Sequence, residues 1–387
     1  MTLTLRLPDG AGGLSPYTLR AQPVLPETPA APPRTRAALA AAHVAADPLA
    51  GNAPGAPARL DWEATLAFRH HVWDLGLGVA DAMDTAQRGM GLGWPATREL
   101  IQRCGAEAKG RGALLACGVS TDHLPQSATI AEIITGYTEQ LAVAEDAGAV
   151  PVLMASRQLA AAARDPEDYV QVYARLLEQA SRPVILHWLG TAFDPQLAGY
   201  WGHDDPAEAI PTVAELIRQH SSRIEGIKVS LLDRELEVRL RALLPEGVRL
   251  YTGDDFNYPE LIKGDGQHHS HALLGAFAAI APVAAEALRA LDNGDTERYD
   301  ALFAPTVPLA RHVFAAPTYH YKAGIAFLAW LNGHQPGFTM VAGLHSARDL
   351  PHLAETLRLA DAAGALRDPE LAVSRMRALL DVAGVAA

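Results

Sequence analysis

IEGIKVSLLD, residues 224–233, is a short apolar run broken by one lysine, Lys228, with Ser230 two positions later. Side chains alternate along a strand, so Lys228 and Ser230 share one face and Ile227 and Val229 the other. Burying an ammonium costs several kcal/mol unless it is paired or gives up its proton. Taken alone, the run also suits an edge-strand lysine whose tip snorkels to water. A lysine on an inner face needs a different reason. A pocket that lowers its pKa leaves a neutral amine, which can attack a carbonyl and form a Schiff base.

The flanking chain repeats the same unit. Strand-like runs are expected in 35–46, 77–80, 113–118, 150–154, 183–189, 226–231, 249–253 and 274–280. Helical patterns lie between most of them, for example DWEATLAFRHHVWDLG (61–76), capped by Asp61 and ended by Gly76. Strand–helix alternation argues for a parallel sheet, and eight units argue for a (β/α)8 TIM barrel. An open doubly wound sheet is less consistent, because no G-x-G-x-x-G follows the first strand. From Val283 onward the pattern is helical throughout. The expected division is an N-terminal arm, hairpin and linker over 1–34, the barrel over 35–282, and a C-terminal helical extension over 283–387. The linker is the Pro-rich run PETPAAPPR (26–34).

Composition narrows the function. The chain has 387 residues, 49% hydrophobic and 20% charged, with a net charge of −12. That charge, without any Lys/Arg-rich run, argues against nucleic acid. No apolar run reaches membrane-span length, and MTLTLRLPDG lacks a signal-peptide pattern. Two cysteines, Cys104 and Cys117, make no disulfide framework, so a reducing cytoplasm is expected.

Catalytic groups of such a barrel sit at the C-terminal ends of its strands. The candidates there are His43 and Asp47, then Asp81, Asp84 and Thr85, then Ser120, Asp122 and His123, then Ser156 and Arg157. His187 and Lys228 fall inside apolar strands, and Thr252, Asp254 and Asp255 end the next one. Most loop residues of this kind are simply solvated. His187 is either a hydrogen-bonded core histidine or a proton carrier. QHHSHALL (267–274) raises a metal question. His269 and His271, with His43 or His187, offer a three-nitrogen site for a divalent metal, although the spacing is not specific.

In order and spacing these pieces resemble the N-acetylneuraminate lyase / dihydrodipicolinate synthase superfamily of Schiff-base aldolases. GIKVS (226–230) is similar to its lysine strand, VILHWLG (184–190) to its fifth strand and TGDD (252–255) to its seventh. EDAGAVPVLMAS (145–156) and LDNGDTERYDALFAPTVPLA (291–310) resemble its fourth-strand passage and first C-terminal helices. The resemblance implies Lys228 as the Schiff-base lysine. It puts His187 where a proton-relaying tyrosine is usual, and Gly253 and Asp255 at positions that hydrogen-bond substrate hydroxyls. The loop expected to bind a keto-acid carboxylate reads GVADAMDTAQRG (78–89), with acidic residues, and Ala192 stands near a carboxylate-binding arginine position. Dihydrodipicolinate synthesis itself is therefore not expected.

The expected activity is that of a lyase, aldolase or dehydratase acting on a keto acid or polyhydroxylated keto sugar without a cofactor. Lys228 and His187 would be catalytic. Asp81, Thr85, Ser120, Ser230, Thr252, Gly253 and Asp255 would bind substrate. The resemblance also implies a homodimer or homotetramer. Two rivals stand beside this reading: a metal-dependent lyase or isomerase using the histidines, and a barrel that binds a sugar acid without chemistry.

Overall fold

The computed structural model describes residues 3–20 and 30–385. Residues 26–29 of the expected linker lie outside the described residues. The chain divides into two compact units. One comprises residues 36–42 and 78–274; the other comprises 1–35, 43–77 and 275–387.

The first unit holds a closed barrel of eight parallel strands. Two strands precede it in the chain, β1 (Thr4–Pro8) and β2 (Leu14–Thr18). The barrel strands are β3 (Ala38–Ala41), β4 (Gly78–Asp81), β5 (Leu115–Val119) and β6 (Val150–Met154). They continue as β7 (Val184–Leu189), β8 (Ile224–Ser230), β9 (Arg249–Thr252) and β10 (His271–Leu274), and β10 pairs with β3 to close the ring. Among the residues between the strands run α1 (Trp62–Asp74), α2 (Trp94–Arg111), α3 (Ile130–Asp146), α4 (Arg157–Ala162) and α5 (Pro166–Gln179). They are followed by α6 (Pro206–Gln219), α7 (Arg234–Arg241) and α8 (Tyr258–Lys263). The fold is thus a (β/α)8 barrel followed in the chain by further helices.

The barrel interior follows from strand alternation. Leu39 and Ala41 on β3 and Val152 and Met154 on β6, each pair two residues apart, join Ala80, Ala116, Ile185, Tyr251 and Leu273 in one buried cluster. Neighbouring strands pair Tyr251 with Lys228 and Lys228 with His187. Helix starts are set by local chemistry. Thr129 and Glu132 form a capping box on α3, and Asp165 followed by Pro166 opens α5.

The second unit contains the hairpin β1–β2, α1, and the helices α9 (Ala276–Asp292), α10 (Thr296–Phe303), α11 (Thr306–Val313), α12 (Tyr321–Leu331), α13 (Leu350–Ala362) and α14 (Pro369–Val382). Asp61 caps α1 as expected, its side chain accepting from Ala64 N–H. The hairpin is tied to α13, with Tyr17 Oη donating to Asp361 Oδ2 at 2.7 Å. No helix among the described residues is long and apolar enough to cross a membrane. Cys104 and Cys117 are both buried and are not joined in a disulfide.

Two boundaries differ from expectation. The eighth barrel strand is His271–Leu274, so the segment 274–280 is mostly the start of α9. The same helix runs through the junction expected at 282/283. In ALLGAFAAIAPVAAEAL (272–288) the apolar run is continuous, and its sequence carries no change of period where strand gives way to helix.

Candidate active site

Lys228 is the fifth residue of β8 and points into the barrel. Its Cε lies 2.8 Å, and Ser230 Oγ 2.1 Å, from where a Cβ on Gly253 would stand. Gly253 continues the inward register of Tyr251, so both side chains occupy the space that a larger residue there would fill. The Gly253 N–H donates to Val229 O at 2.7 Å.

Lys228 is 4% exposed and His187 1% exposed. Burial lowers the Lys228 amine below its ordinary value of 10.5, while the carboxylates of Asp84 and then Asp255 act in the opposite direction without overcoming it. The His187 imidazole is pushed well below 6.5, first by burial and then by Lys228, with Asp84 opposing. It is therefore neutral at pH 7. Its Nε2 lies 3.2 Å from Ser230 Oγ, and its buried Nδ1 has no hydrogen-bond partner among the described residues. The structure thus brings Lys228, His187, Ser230, Gly253, Asp255 and Asp84 together.

Asp84 is delivered by the loop after β4. Met83 inserts into the barrel core, and Ala82 adopts φ +50°. Gly118 makes room for the loop, because a Cβ there would lie 2.5 Å from Ala82 O. Arg88 anchors the far end. Its Nη1 donates to Gly118 O at 2.8 Å and its Nη2 to Gln140 Oε1 at 2.7 Å and to Asp122 Oδ1. Burial would raise the Asp122 carboxyl, but Arg88 and Gln140 hold it below its ordinary value.

Other expected site residues fall elsewhere. Thr252 is on the outward register of β9. Its Oγ1 donates to Glu237 Oε2 of α7 at 2.9 Å and accepts Asp254 N–H at 3.1 Å, so it faces the helix layer and not the barrel interior. Asp81 likewise ends β4 on the outward register, and its Oδ1 accepts Ala82 N–H at 2.8 Å. Thr85 is buried in the short turn Asp84–Ala86. Ser120 follows β5 on the inward register, and its N–H donates to Gln140 Oε1 at 2.8 Å. Asp254 turns back on its own backbone, accepting from Phe256 and Asn257 N–H at 2.8 and 3.0 Å.

The histidines do not converge as a metal set. His43 belongs to the helical unit, where its Nε2 lies 3.0 Å from Gln335 Oε1. His271 opens β10 at the strand's N-terminal end, its Nδ1 accepting Ala37 N–H at 2.9 Å, and its ring lies 5.2 Å from that of His269. Burial pushes His271 down to about 3 and His269 down to about 4. His187 sits three residues into β7 with Ser230. Among the described residues no group of three or more His, Cys, Asp or Glu could hold a metal ion. Spacing two puts His269 and His271 on one face, but they lie at the start of the strand, where a backbone N–H takes the His271 Nδ1.

Two functional neighbours carry no distinctive sequence signal. Asp84 was one of three polar residues in DAMDT, and only the loop path shows which of them meets the amine. Nothing in RELEVRL separates Glu237 from the charged residues around it, yet it is fully buried.

The family described as "Protein of unknown function (DUF993)" matches residues 5–385. The chain belongs to this family. No curated protein matches it in sequence. Solved structures share its fold at low identity. Dihydrodipicolinate synthase from Aquifex aeolicus superposes with a TM-score of 0.61 at 13% identity, covering 90% of this chain and 98% of that one. The enzyme from Bacteroides thetaiotaomicron gives 0.63 at 15% identity, covering 84% and 98%. The enzyme from Oceanobacillus iheyensis gives 0.61 at 14% identity, covering 84% and 96%. The resemblance to the dihydrodipicolinate synthase group expected from the strand motifs holds at the level of fold.

Proposed function

We propose that the protein is a lyase that works through a Schiff base on Lys228. The observation that carries this reading is a buried lysine on the inner face of a barrel strand, its amine held below its ordinary pKa even with Asp84 and Asp255 acting on it. An exposed lysine offers roughly one neutral amine in two thousand at pH 7, and every unit of lowering multiplies that fraction about tenfold. A structural core does not require a lysine at this position, and its location in the C-terminal half of β8, toward the end where barrels of this class keep their chemistry, supports the reading.

The Lys228 Nζ lone pair attacks the carbonyl carbon of the substrate. Loss of water from the carbinolamine gives an iminium. The iminium draws in an electron pair in one of two ways: the Cα–Cβ pair, as the β-hydroxyl gives up its proton and becomes a carbonyl, or the Cα–H pair, as a base takes that proton and the resulting enamine expels the protonated β-hydroxyl as water. Water then hydrolyses the imine and restores the amine. Proton transfer falls to His187, whose neutral imidazole can accept a proton and pass it through Ser230 Oγ, with which it is already in contact. On this reading Asp255 and Asp84, whose carboxylates act on the amine, accept hydrogen bonds from substrate hydroxyls. The partner on this reading is a small carbonyl compound.

The test is reductive trapping. Wild type and Lys228→Ala are incubated with a panel of keto sugars and keto acids, reduced with borohydride, and weighed intact. The expected result is a stable mass gain in wild type, absent in the variant. A panel that leaves wild type unmodified while the enzyme turns over one of its members refutes the Schiff base.

A further inference from the structure

We propose that the Lys228 site takes a neutral, polyhydroxylated ketone (a ketose or keto sugar with hydroxyl-bearing carbons beside the carbonyl) and discriminates against 2-keto acids. This rests on the Schiff-base reading and specifies its substrate class.

The charged groups that act on Lys228 are both carboxylates, Asp84 and Asp255. In a 2-keto acid the substrate carboxylate is bonded directly to the carbon that becomes the imine carbon. It would therefore enter the field of two like charges. The arginines that follow the barrel strands in this region are committed. Arg88 is tied to Asp122, Gln140 and Gly118 O, and Arg157 Nε donates to Asp194 Oδ2 at 2.6 Å. A neutral ketone brings no such repulsion, and the iminium it forms has one positive charge facing the two carboxylates.

The remaining groups suit hydroxyls. Carboxylates accept from O–H, and Ser230 both donates and accepts. His187 Nδ1 is buried with no partner among the described residues, and in a neutral ring one nitrogen donates while the other accepts. A hydroxyl next to the carbonyl would satisfy that atom. The position of Asp84 is fixed, because Met83 on one side is packed in the core and Arg88 on the other is anchored.

The experiment is a competition. The full-length protein is mixed with equal 1,3-dihydroxyacetone and pyruvate, reduced with borohydride, and digested. Hydride adds to the imine carbon and a solvent proton to nitrogen, leaving a secondary amine on the lysine. The chain has four lysines, Lys109, Lys228, Lys263 and Lys322, so the adduct is assigned directly. The expected result is a dihydroxyacetone adduct on Lys228 in at least about tenfold excess over the pyruvate adduct. Asp255→Asn, and independently Asp84→Asn, shift that ratio toward pyruvate by about tenfold. A pyruvate adduct on Lys228 that equals or exceeds the other overturns the substrate class and leaves the Schiff-base reading standing. Folded carboxylate variants with an unchanged ratio overturn the role given to Asp84 and Asp255. Adducts on Lys109 or Lys263 but none on Lys228 with either probe overturn both.

Discussion

Replacing Gly253 with alanine inserts one methyl group beneath the amine. That carbon would stand 2.1 Å from Ser230 Oγ, 2.8 Å from Lys228 Cε and 2.9 Å from Val229 O. Carbon atoms in contact normally sit about 3.5–4.0 Å apart, so Lys228 Cε must retreat by roughly 1 Å. Ser230 must turn further, which breaks its approach to His187 Nε2. The backbone conformation at Gly253 is not left-handed, so alanine introduces no dihedral strain and reports on the contact alone. Overpacking of this kind costs about 1–3 kcal/mol, which is a fall of a few degrees in Tm. A displacement of about 1 Å at a reacting atom lowers rate on the order of a hundredfold. Thermal unfolding and the rate of borohydride-trapped adduct formation are measured together. Trapping at the wild-type rate in Gly253→Ala would show that the lysine does not lie over this glycine while it reacts, and the account of the site would be wrong.

His187→Gln keeps much of the volume and the hydrogen bond to Ser230 but cannot carry a proton near neutrality. Turnover should fall by about 10²–10⁴ while imine trapping persists, and equal loss of both would assign His187 to holding Lys228 instead. Glu237 gives a pH signature. Burial raises its carboxyl to about 8, above the 4.5 of an exposed glutamate, against hydrogen bonds from Ser270 and Thr252. The folded form then keeps a proton that the unfolded chain releases. Stability from this group is complete below pH 4.5 and is lost as pH rises to about 8. The slope is at most about 1.4 kcal/mol per pH unit. Glu237→Gln should flatten the denaturation midpoint across that range, and an unchanged slope would remove the group as its source.

Much of the barrel was legible because parallel strands leave continuous apolar runs bounded by turns. Lys228 and His187 stood out as the polar exceptions inside such runs, and alternation alone assigned Lys228 and Ser230 to one face. Alternation also separates Thr252 from Gly253 and Asp255, so the outward placement of Thr252 was available from the same rule that favoured Lys228. The eighth strand was less accessible. It has four residues, and the apolar helix α9 begins two residues after it ends. The acidic loop after β4 shows why contact with the amine is hard to read: Asp81, Asp84 and Thr85 are equally polar in sequence, and the choice of Asp84 depends on Met83 entering the core and on Arg88 reaching across to Asp122. Glu237 gave no signal, because a glutamate in a short charged helix ordinarily faces water.

Lys228 titration tests the central claim most directly. The four lysines are reductively methylated with carbon-13 formaldehyde, assigned by single substitutions, and their methyl resonances followed with pH. The account predicts a Lys228 midpoint below the ordinary 10.5 and below that of exposed Lys109, falling further in Asp255→Asn as a carboxylate that favours the ammonium is removed. A Lys228 midpoint at or above that of Lys109 would mean that the carboxylates outweigh burial, and the amine would be too rarely neutral to begin the reaction.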